Sequence, residues 1–95
     1  MDYEMWELLH EKQELEDHHY VEQRVLFARQ DAEWDVFCRR HPSRKEQECP
    51  EAKALRLYHQ KERNLLEQRY ESRMEELTRR IEQAKKRSAG KGSRG

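Results

Sequence analysis

His41-Pro42-Ser43-Arg44-Lys45-Glu46-Gln47-Glu48-Cys49-Pro50 is the stretch on which the fold turns, because it holds both prolines of a 95-residue chain. Pro42 disfavours helical backbone at His41, whereas Pro50, with its fixed φ and missing N–H, suits the first turn of a new helix. Ser43 and Glu46 have the spacing of a capping box, so a short helical turn can lie inside the connection. Outward from this stretch, residues 2–40 and 51–87 contain neither Gly nor Pro. Asp2, Glu4 and Glu7 put acids where the helix dipole favours them, and Lys85, Lys86 and Arg87 put cations at the other end. The pattern predicts a helical hairpin over residues 1–87, with helices at about 2–40 and 50–87 and a connection at about 41–49. Residues 88–95, Ser-Ala-Gly-Lys-Gly-Ser-Arg-Gly, read as a disordered basic tail.

The apolar spacing describes how the two helices meet. In the second helix Leu66, Tyr70, Met74, Leu77, Ile81 and Ala84 step by four or three, with Leu55 and His59 extending the line backwards. In the first, Met5, Leu8 and Leu15 open a seam that continues, after a one-residue register change, as Val21, Val25, Ala28, Ala32 and Val36. Antiparallel partners must have positions with a nearly constant total. Met5 with Ala84, Leu8 with Ile81 and Leu15 with Met74 each total 89; Val21 with Tyr70, Val25 with Leu66 and Val36 with Leu55 total 91. Lys12 opposite Leu77 and Ala28 opposite Glu62 break the match and require long polar side chains to snorkel. The expected fold is all-α: an antiparallel two-helix hairpin of coiled-coil type.

Trp6, Tyr20, Phe27 and Trp34 are left over. They share one seven-residue repeat, with Gln13 in the gap, and form a second stripe away from the seam. Aromatic side chains bury roughly 150–250 Å² each, so this row predicts a partner: a second hairpin completing a four-helix bundle, or another protein's helix. Homodimerisation is the favoured form, because small two-helix chains bury little surface alone. On this reading Phe27→Asp lowers oligomer order while Leu66→Asp melts the helices.

Composition narrows the function classes. With 34% hydrophobic against 42% charged residues, the chain cannot assemble the deep core of a typical enzyme. There is no Gly-rich phosphate loop and no nucleophile with a positioned base, so neither catalysis nor a small-molecule substrate is expected. The acidic, amphipathic start fits neither a secretory signal nor a transit peptide, and no run approaches the roughly 18 apolar residues of a membrane span. The expectation is an intracellular chain, cytoplasmic or nuclear, acting as an adaptor, scaffold or regulatory subunit.

Lys plus Arg and Asp plus Glu both number 20, yet residues 1–40 carry a net −6 and residues 85–95 a net +5. The alternative function follows from that basic end: a small nucleic-acid-associated regulator touching phosphates with Lys85, Lys86, Arg87, Lys91 and Arg94. Against it, the tail has no aromatic for base stacking, and the acidic first helix repels a polyanion.

Two groups of residues suggest metal chemistry. Cys38, His41 and Cys49 converge at the bend but lack a fourth ligand, since His59 is ten residues, about 15 Å of helix, beyond Cys49. One cysteine per helix in an intracellular chain is expected to stay reduced. His10, Glu14, Asp17 and His18 share a face, and Glu7-x-x-His10 and Glu16-x-x-His19 have the spacing of carboxylate-bridged di-metal bundles. Such sites need inward glutamates from other helices, and the second helix offers only Glu62 on its seam. A solvated acidic face is the expectation, with no metal and no cofactor.

Overall fold

The computed structural model describes residues 3–92, with side chains throughout except at positions 46, 47 and 90–92. The described residues are all-helical: α1 (Tyr3–Arg40), α2 (Arg44–Gln47) and α3 (Pro50–Gly92). The proline-bounded stretch interrupts the helix as its chemistry requires. α1 ends at Arg40, before His41 and Pro42, with its last turn closed by the His41 N–H donating to the Phe37 carbonyl at 3.0 Å. α2 begins directly after Ser43, and α3 begins at Pro50, whose missing donor costs nothing in a first turn. α3 runs five residues beyond the expected stop at Arg87: Ser88 and Ala89 contain no breaker, Ala being the strongest helix former, and the helix continues through Gly90 to Gly92 despite the low helix propensity of glycine. Asp2 and Arg94 lie outside the described residues, as does the side chain of Lys91.

The chain divides into two compact units, one of Met1–His19 with Gln68–Gly95 and one of Tyr20–Glu67. In the first, which holds both chain ends, α1 and α3 run antiparallel around a core of Leu8, Leu77, Ile81 and Ala84, with Met5 and Leu15 packed against it. Arg80 pairs with Glu11 at 3.5 Å, Arg87 pairs with Glu4, and the His19 and Tyr70 rings stack with centroids 3.9 Å apart. Burying Leu8, Leu77 and Ile81 contributes roughly 1.5–3 kcal/mol each and is the main source of stability in this unit.

The bend unit, residues 20–67, is also antiparallel, but its seam is polar. Gln23 donates to Glu67 at 2.7 Å, Arg29 pairs with Glu62, and Gln30 donates to the His59 carbonyl at 2.9 Å. These pairs total 89 to 91, so the expected axial register holds. The expected face of α1 does not. Val21, Val25, Ala28, Ala32 and Val36 are exposed, and the partners of α3 are Gln23, Leu26, Gln30, Glu33 and Phe37, which are buried or half-buried. There is no one-residue register change: the three-and-four spacing of Met5, Leu8, Lys12, Leu15 and His19 runs on into Leu26, Gln30, Glu33 and Phe37. The physical reason is complementarity. α3 offers Glu62, Arg63 and Glu67 at these levels, and Arg29, Gln30 and Gln23 of α1 pair with them where valines would leave them unpaired.

Candidate functional site

Gln30 is the centre of the bend unit and is 1% exposed. Its Nε2 donates to the His59 carbonyl and, at 3.4 Å, to Glu62 Oε1, while its Oε1 accepts from Arg63 Nε at 2.7 Å. Every polar function of the buried amide is engaged, which is the condition for such a group to favour one register over its neighbours. His59, one layer along the same seam, is 8% exposed, and its Nε2 makes no hydrogen bond. That nitrogen faces Glu33, whose Oε1 lies 3.8 Å away. One imidazole nitrogen of His59 and one carboxylate oxygen each of Glu33 and Glu62 lie within 4.8 Å of one another. Arg29 pairs with both carboxylates. The hydrogen bond to Glu62 is the first cause that raises its guanidinium pKa above the ordinary value; partial desolvation opposes this, and the charges of Glu62 and Glu33 add to it.

Helical spacing assigns the remaining side chains of this unit to two flanks. On one, Tyr20, Phe27 and Trp34 of α1 follow each other at seven-residue intervals, and each carries an arginine. The Arg24 guanidinium lies 5.7 Å from the Tyr20 ring centre and donates to its hydroxyl at 3.0 Å, Arg63 lies 4.8 Å from the Phe27 ring and Arg56 4.7 Å from the Trp34 ring. Trp34 stacks on Phe37 and Phe37 on His41, carrying the aromatic row to the bend. On the other flank, marked by the Arg29–Glu62 pair, Val25, Ala32 and Val36 follow Arg29's face of α1, and Tyr58 and Leu65 follow Glu62's face of α3. Val25 is 65%, Val36 44%, Tyr58 54% and Leu65 57% exposed. An open groove of about 610 Å³ lies between Ala32, Val36 and Phe37 of α1 and Leu55 of α3.

The other candidate residues are distributed as follows. Trp6 belongs to the unit of the chain ends, where it stacks between Tyr3 and His10, and His10 pairs with Glu14 at 3.1 Å. Cys38 and Cys49 are free thiols, each half-buried. Lys85 pairs with Glu82 at 3.8 Å and Arg87 with Glu4, so two of the basic residues of the C-terminal end already have carboxylate partners. The Glu33, His59 and Glu62 grouping was not anticipated as a set. Glu62 and His59 stood on the expected seam, but Glu33 was hidden by assigning α1's valines to it. The position totals, 92 for Glu33 with His59 and 91 for Arg29 with Glu62, set these residues at one level of the hairpin but carry no information on the rotation of α1.

Compared with known families, with curated proteins and with solved structures, the chain matches none. No described helix is long and apolar enough to cross a membrane.

Proposed function

We propose that this chain is a non-catalytic protein–protein interaction and oligomerisation module, a coiled-coil adaptor or scaffold, whose partner is a second copy of itself in a four-helix bundle. The observation that carries this is the valine flank of the bend unit, where Val21, Val25, Val36, Tyr58 and Leu65 are all 44% exposed or more. Among the described residues of that unit only Ala52 and Leu66 are buried apolar side chains, so its own seam gains little from the hydrophobic effect and a second layer would supply what it lacks. Residues 20–67 hold ten basic and nine acidic residues, so two copies meet without net repulsion. The exposed parts of these side chains amount to on the order of 500 Å² per copy, a large share of the ~800 Å² per partner of a standard interface.

Trp6, Tyr20, Phe27 and Trp34 belong to the same proposal as partner anchors. Large rigid rings dominate interface energetics, and an arginine stacked on a ring presents apolar and cationic surface together. The ring flank is already partly covered by its arginines, which ranks it behind the valine flank as the first contact.

Sedimentation equilibrium over a wide concentration range tests the proposal. The expected mass is twice the 11.8 kDa of one chain. Val25→Asp should bring it to that of the monomer with helicity retained, and Phe27→Asp should lower it by less. A wild-type chain that stays monomeric at every concentration would overturn the proposal.

A further inference from the structure

We propose that Glu33, His59 and Glu62 form a binding site for one divalent transition cation of zinc type, entered by displacing the Arg29 guanidinium. The first support is the unsatisfied imidazole. His59 is more than nine-tenths buried, its Nε2 has no hydrogen-bond partner, and Glu33 Oε1 lies 3.8 Å away, too far to accept from it. A buried nitrogen without a partner carries a desolvation cost that ligation would remove. The second support is the ligand set: one imidazole nitrogen and two carboxylate oxygens converge within 4.8 Å from two different helices. The nitrogen disfavours the hard cations that take oxygen alone, and three protein ligands with one open position suit zinc.

The required movements are small. Ligand bonds of about 2.0–2.2 Å hold neighbouring donors roughly 3.5 Å apart, so the His59–Glu33 pair is already close to that separation. The carboxylates supply the rest, since the side chains of Glu33 and Glu62 are 37% and 20% exposed and retain freedom to turn. Arg29 now neutralises part of their charge. Its side chain is 45% exposed, so it can swing into water when a doubly charged ion arrives, leaving two carboxylates and a neutral imidazole around that ion in charge balance. Gln30 Nε2, 3.4 Å from Glu62 Oε1, would remain as the outer partner that orients this carboxylate.

Zinc titration of the full chain followed by calorimetry, with histidine imidazole resonances recorded by NMR, tests the site whatever the oligomeric state. One equivalent per chain is expected, with the His59 resonances shifting in step with the heat. Glu33→Gln and Glu62→Gln, both checked for retained helicity, should each weaken binding about tenfold or more. Arg29→Met should strengthen it, because the competing cation is gone. Cys38→Ser with Cys49→Ser should leave it unchanged. The site is refuted if no equivalent binds, if zinc moves the His10, His18 or His19 resonances and not those of His59, if binding survives both glutamine substitutions, if Arg29→Met does not strengthen it, or if it disappears with the thiols.

Discussion

At the scale of single residues, Gln30 and His59 behave differently although they are neighbours on one seam. Gln30 has every polar group engaged, and His59 leaves one nitrogen unserved. Gln30→Ala removes the acceptor of Arg63 and leaves a gap in the seam, and it should cost roughly 1–2 kcal/mol in urea unfolding. Gln30→Leu fills the same space with apolar atoms and takes no charge out of water, so its stability should fall within about 1 kcal/mol of the wild type. The loss should be one of specificity: without the amide, disulfide crosslinking between cysteine pairs introduced at offset totals should report registers the wild type does not populate. Identical crosslinking in both chains would show that Gln30 does not select the register. Residues of this kind are poorly legible in sequence, because a buried Gln looks like a solvated one until its partners are known.

At the scale of the helices, the bend was legible from two prolines, and the axial register from a position total that holds near 90 across Gln23–Glu67, Arg29–Glu62 and Arg80–Glu11. The rotation of α1 in the bend unit was not. Counting apolar residues favoured Val21, Val25 and Val36, yet those side chains face water, and the face that packs carries Gln23, Gln30 and Glu33. Apolar periodicity locates a seam only where the seam is apolar, as in the unit of the chain ends. Substitutions in the two units should therefore differ. Leu77→Ala, in the apolar cluster, should cost about 2–4 kcal/mol of unfolding free energy in urea, and Leu66→Asp should abolish most of the helical circular dichroism. Val36→Asp, on the exposed flank, should leave the helical signal of a dilute, monomeric sample nearly unchanged. A comparable loss from Val36→Asp at that dilution would mean the valine row is core after all.

At the scale of the molecule, equal numbers of acidic and basic residues conceal an acidic first helix and a basic C-terminal end, and Arg87–Glu4 and Arg80–Glu11 bring the two charges together. Those exposed pairs contribute little to stability and are screened by salt. They also occupy cations that a phosphate backbone would need. Deleting residues 85–95 should leave affinity for RNA or DNA at low salt unchanged; a marked loss would revive the nucleic-acid alternative. By itself, the amino-acid sequence determined two long helices, the place where the chain turns and the level at which each residue meets its partner, because proline chemistry and helical rise act locally and add up along the chain. Only the tertiary structure decided which side of α1 is inside in the bend unit. That choice depends on pairing Glu62, Arg63 and Glu67 from the opposite helix, and the free energy of a buried polar pair is a property of neither residue alone.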